Sequence, residues 1–175
     1  MIHKRNWAGF SIVEMLTVVI VISILASVVV VAYNGVQQRA QTAKRDADLA
    51  NLAKAIRIAR TSASKTLLQI TSNDGWIIGH CISPAENPAG VEPRLLAKSH
   101  ICWTMYYFAI DAISLAAGVN LNGLKSGDAR GNPYGIDENQ GEGGNCSLQD
   151  TLLYFTGNGI TATIHTALPL YETCP

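Results

Sequence analysis

Apolar residues run almost unbroken from Phe10 to Tyr33, and Glu14 is the one carboxylate among them. As a helix these residues would span about 36 Å, enough to cross the hydrocarbon core of a bilayer with some tilt. Past Tyr33 the pattern changes. Val36, Ala40, Ala43, Ala47, Ala50, Ala53, Ile56, Ala59 and Ala63 recur at steps of three and four, the stripe of an amphipathic helix. No proline interrupts the chain before Pro84, and Gly35 is the only glycine between Phe10 and Gly75. The two stretches predict a single helix of about 55 residues, roughly 80 Å long. A bend is expected at Asn34-Gly35, since glycine costs about 1 kcal/mol in a helix interior. The alanine-rich stripe is expected to lie close against a small domain.

The remaining pattern is that of a small mixed domain. Gly75-Trp76-Ile77-Ile78-Gly79 predicts a strand or a buried loop, and Ser83 to Pro93, with three prolines, an exposed loop. Ile101, Met105, Phe108, Ala112 and Leu115 carry helical spacing from Ile101 to Ala117, with Gly118 as the stop. Gly127 to Gly144 is glycine-rich and acidic and reads as loop. Thr151 to Thr156 and Ile160 to Ala167 alternate around Gly157-Asn158-Gly159, a β-hairpin signal. Trp76, Trp103, Tyr106 and Tyr107 read as core, since aromatic side chains dominate small cores. The fold class expected is α+β, a long helix laid on a small antiparallel sheet.

Charge and cysteine placement add an orientation. Lys4 and Arg5 precede the apolar run, but Arg39, Lys44 and Arg45 follow it, so the positive-inside rule alone is balanced. All four cysteines (Cys81, Cys102, Cys146, Cys174) lie beyond the run, an even number that suits an exported, oxidised domain. The N-terminus is therefore read as cytoplasmic and the domain as extracytoplasmic. An ordinary secretory signal ends in a small-residue cleavage site. Ala26 and Ala32 each have a bulky residue two positions earlier, so the run is expected to stay with the protein. From Val36 to Ser64 six Lys/Arg face Asp46 and Asp48, whereas Lys65 to Pro175 holds five Lys/Arg against ten Asp/Glu. A basic stalk thus carries an acidic head. That suits one subunit's stalk near another's head, anionic lipid, or simply a solvated face. It speaks against broad nucleic-acid binding by the head.

Glu14 is costly in a span, roughly 2.5–3.5 kcal/mol at the centre on insertion scales and less near the end. Its setting, Gly9-Phe10-Ser11-Ile12-Val13-Glu14 after a short basic leader, resembles the type IV pilin and type II secretion pseudopilin family. The resemblance implies a pilin-like fold, cleavage between Gly9 and Phe10 by a prepilin peptidase, and N-methylation of Phe10. It also implies pairing of Glu14 with the Phe10 amine of a neighbouring subunit. The chain then divides into a leader (1–9), a membrane or filament-core helix (10–33), its amphipathic continuation (34–64) and a globular head (65–175). Partners implied are other pilin subunits, the peptidase and methylase, a membrane assembly platform and its ATPase. Many relatives carry a proline inside the apolar stretch; Val28 to Val31 has none.

A second resemblance lies in Gly127-Asp128-Ala129-Arg130-Gly131-Asn132-Pro133-Tyr134, which looks like a segment of the major pseudopilins whose loops hold calcium. It implies Asp128, Asp137, Glu138, Glu142 and Asp150 as calcium ligands, the hard oxygens that ion prefers. Ala129-Arg130 departs from the family's Pro-Trp, and Asn158 stands where an aspartate is common. A solvated acidic loop without metal is the alternative.

The cysteines admit three pairings, of which Cys81–Cys102 and Cys146–Cys174 are favoured as closing the proline-rich loop and tying down the chain's end. His80, Cys81, His100 and Cys102 as a zinc site is the competing reading, with a spacing unlike a zinc finger's. No catalytic motif is present: no G-x-S-x-G, H-E-x-x-H or P-loop. A structural, non-enzymatic subunit requiring no cofactor is the leading expectation. A signal-anchored extracellular enzyme or binding domain that never polymerises is the alternative, and it predicts an intact leader and indifference to Glu14.

Overall fold

The computed structural model describes residues 11–71, 77–156, 161–172 and 174. The Gly9-Phe10 junction, Gly75-Trp76 and the hairpin centre Gly157-Asn158-Gly159 lie outside them. Two compact units divide the chain, one through Ala40 and one from Gln41. The helix α1 (Ile12–Ala63) begins in the first and ends in the second.

Within the first unit every side chain from Ser11 to Val30 is exposed. The helix there is apolar on all faces, long and apolar enough to cross a membrane. Its few hydroxyls turn back on its own carbonyls: Ser23 Oγ donates to Val19 O at 2.7 Å and Ser27 Oγ to Ile24 O at 2.7 Å. They therefore ask nothing of the surroundings. The helix is unbroken through Asn34-Gly35.

In the second unit α1 buries Leu49, Leu52, Ala53, Ile56, Ala59 and Arg60. Only part of the alanine stripe takes this place, because Ala43, Ala47 and Ala50 are exposed. Leucine removes far more apolar area from water than alanine, at about 25 cal/mol per Å². The helix face is accordingly set by Leu49 and Leu52. α1 ends where Ser64 takes a left-handed φ of 53°, and the Lys65 N–H donates to Arg60 O at 3.3 Å, a closure usually given to glycine. Thr66 and Gln69 then form a reciprocal capping box that starts α2 (Leu67–Ile70).

The short α3 (Gly79–Ile82) follows buried Ile77 and Ile78. Helix α4 (Ile101–Ala117) sinks Cys102, Trp103, Tyr106, Ala109, Ile110 and Ile113 and stops at Gly118, φ 63°. Trp103 Nε1 donates to Pro93 O at 2.8 Å and Tyr106 Oη to Leu124 O at 2.6 Å, so both aromatic polar ends are satisfied inside the core. The loop between α3 and α4 is not wholly exposed. Asn87 is buried and donates to Cys81 O and Val91 O.

Three antiparallel strands complete the unit in the order β1 (Gly135–Asp137), β2 (Thr151–Thr156), β3 (Thr161–Ala167). Ile136 pairs with Leu152 and Phe155 with Ala162. The register shifts at Leu152/Leu153, leaving His165 as an extra residue on β3. β1 lies within the stretch read as loop. A Cβ at Gly135 would run into Ile78 and Leu153, so the glycine that suggested a loop permits close packing of a strand. The architecture is α+β.

Candidate functional site

At the start of α1 two polar side chains close on each other's backbone. Glu14 Oε2 accepts from the Ser11 N–H at 3.1 Å, and Ser11 Oγ accepts from the Val13 N–H at 3.3 Å. Ser11-x-x-Glu14 is a capping box in all but one detail, the serine reaching the second helical N–H instead of the third. The carboxylate also sits in the first turn, where the helix dipole favours negative charge. The S-x-x-E pattern of Ser11 and Glu14 is the sequence signal for this local role.

The carboxylates of the calcium expectation are engaged in different ways. Asp128 Oδ1 accepts from Arg130 N at 2.8 Å and Asn132 N at 2.9 Å, closing its own turn. Asp137 accepts from Thr151 Oγ1, Glu138 is buried, and Glu142 is exposed. Among the described residues no three His, Cys, Asp or Glu side chains gather as a metal-ligand group.

Asp150 belongs instead to a buried polar knot. Its carboxylate pairs with Arg60 Nη2 and accepts from Gln140 N at 2.7 Å. Arg60 Nη1 donates to Pro169 O at 2.9 Å. The Gln140 amide both donates to Tyr171 O and accepts from Tyr171 N, each at 2.8 Å. Arg60, Gln140 and Asp150 are all no more than 2 % exposed. Burial lowers the Arg60 guanidinium to about 10, still well above neutrality, so Arg60 stays a cation. The sequence groups Arg60 with the basic stalk; its step of four from Ile56 is the signal that it shares the buried face.

A second, half-buried polar contact joins α1 to the loop before β1. Asp48 Oδ2 accepts from Lys44 Nζ at 2.5 Å and from Tyr134 Oη at 2.6 Å. Burial, reinforced by that carboxylate, pushes the Tyr134 phenol well above its ordinary value. Burial does the same to Tyr106.

Two disulfides staple the unit. Cys81–Cys102 joins α3 to α4, and Cys146–Cys174 ties the loop after β1 to the segment after β3. The sulfurs of the zinc reading are thereby spent. His100 accepts from Cys102 N as the α4 cap, and His80 Nδ1 lies 2.6 Å from Glu86 Oε2. No protein-family model, curated protein or solved structure matches the chain.

Proposed function

We propose that this chain is the precursor of a structural subunit of a type IV pilus or pilus-like secretion or uptake filament. It is cut between Gly9 and Phe10, methylated on Phe10 and assembled through α1. The observation that carries the reading is that α1 from Ile12 to Val30 is apolar on every face and holds one carboxylate, Glu14, in its first turn. Such a helix requires lipid or other apolar helices around it. Transferred from a bilayer into a bundle of like helices, it keeps its apolar contacts and gains a cation for Glu14. An unpaired charge in low dielectric costs several kcal/mol, so growth favours the arrangement that pairs it. The amine created at Phe10 is that cation. The two disulfides suit an oxidising compartment for the head. On this reading the chain supplies shape and contacts. The chemistry belongs to the peptidase and methylase, the platform and the ATPase.

One observation favours the second reading, a signal-anchored domain that never polymerises. The capping box gives Glu14 a purely local use that such an anchor would share. Intact mass and N-terminal peptide mass spectrometry on unreduced protein from its own host separate the two. A chain starting at methylated Phe10 and four hydrogens lighter than its reduced form supports the filament subunit with both disulfides. An intact Met1, or a cut beyond Tyr33, removes it.

A further inference from the structure

A groove of about 460 Å³ lies between the last turns of α1 and the connection after α4. Ile58, Val119 and Leu121 line its floor, and Asn51, Lys54 and Asn120 its rim. The floor is half-open, with Ile58 36 % and Val119 37 % exposed. Asp48 also borders it but is occupied by Lys44 and Tyr134. Lys54 therefore dominates the rim's charge, and Arg57 stands exposed one turn further along α1. Neither cation has an ion-pair partner among the described residues.

The complementary groups occur on the same unit. Glu142 and Glu172 are exposed, and neither is ion-paired among the described residues. Leu148, close by in the chain, is 49 % exposed. The loop that carries Glu142 and Leu148 is held by its own hydrogen bonds, Gly141 N to Asn145 O at 2.8 Å and Asn145 N to Glu142 O at 2.9 Å. Ser147 N adds a bond to Asn145 Oδ1 at 2.9 Å. The Cys146–Cys174 disulfide fastens the segment bearing Glu172 to that loop. The result is an acidic knob with an apolar side chain, fixed before any partner arrives, which lowers the ordering cost of docking.

We infer that the groove receives the 142–148 knob of a second copy of this chain. Lys54 and Arg57 face Glu142 and Glu172, and Leu148 covers Ile58 and Val119. The inference rests on the filament reading and names a head-to-stalk contact for it. Donor and acceptor surfaces differ, so the contact is heterologous and, in a filament, repeats from copy to copy instead of closing a pair. Its charges lie at the rim, where they set register and approach and are weakened by salt.

The test uses full-length protein in its host's membranes, with isotopically light and heavy copies mixed, carbodiimide coupling and peptide mass spectrometry. A mixed-isotope link between Lys54 and Glu142 is expected. Lys54→Glu and Glu142→Lys should each cut the linked yield by about tenfold, and the two together should restore it to within about twofold. Both positions are exposed, so unchanged melting temperatures exclude misfolding. Cut and methylated protein whose copies link elsewhere, a different protein linked at Lys54, or single losses without rescue would each overturn the docking and leave the filament reading standing. Unlinked copies with an uncut leader overturn both.

Discussion

Glu14 Oε2 accepts a hydrogen bond from the Ser11 N–H at 3.1 Å, so the carboxylate that stands in the apolar helix also caps it. Cap and charge can be separated by substitution. Glu14→Gln keeps an oxygen for Ser11 and removes the charge, whereas Glu14→Val removes both. Membrane insertion should survive either change. If the charge is what assembly uses, both variants should enter filaments at least about tenfold less than the parent. Normal incorporation of Glu14→Gln, scored by sedimentation of filaments, would reduce Glu14 to a cap.

The Arg60–Asp150 pair gives a stability prediction with an internal control. Arg60→Ala leaves a buried carboxylate without its cation and should cost about 3–5 kcal/mol. Arg60→Met together with Asp150→Leu removes both charges and should cost distinctly less than the single change. Denaturant unfolding of the detergent-solubilised chain would measure both. A double variant as damaged as Arg60→Ala would argue that the links to Pro169 and Gln140 matter more than the charges.

Ser64 closes α1 in a left-handed conformation that serine adopts at a cost. Ser64→Gly should raise stability by about 0.5–1 kcal/mol, net of the entropy glycine adds to the unfolded chain. A fall in melting temperature would mean that the hydroxyl does something the backbone geometry does not require.

Alkaline pH should unfold the head. Tyr134 and Tyr106 are held protonated by burial, so above about pH 10 the folded state binds more protons than the unfolded chain and stability falls with pH. Arg60, lowered to about 10, works in the opposite sense, because there the unfolded chain keeps its proton longer. Tyr107 is shifted in the same direction as the two tyrosines and Lys98 in the same direction as Arg60, so three tyrosines against two cations leave the net slope negative. Phenolate absorbance should show two of the six tyrosines ionising only as the head unfolds. A single smooth titration of all six would contradict this, and Tyr134→Phe should make the decline shallower.

The local part of the fold could be read from residue order, and the long-range part could not. Ile101 to Ala117 with Gly118 has both a period and a stop, and α4 has those bounds. The hairpin strands likewise carried alternation and β-branched residues. β1 is three residues long, too short for any period to register. The buried face of α1 was only partly legible, since Arg60 interrupts it and its partner Asp150 lies 90 residues away. Nothing near Arg60 in the chain reveals that neutralising group. The carboxylates beyond Gly127 illustrate the converse: close in sequence, they point to separate tasks, one closing a turn and another holding Arg60.

The polar knot also fixes an order of events. Arg60 emerges early, Asp150 follows 90 residues later and the Pro169 carbonyl 109 residues later. Until then the guanidinium has neither of these partners, and the apolar face it shares with Leu49, Leu52 and Ile56 cannot close without burying a bare charge. For a chain delivered from one end, the head behaves as a latch whose bolt arrives last. It can hold pieces of secondary structure early, but the step that seals α1 into the core waits for Asp150 and the Pro169 carbonyl to reach Arg60.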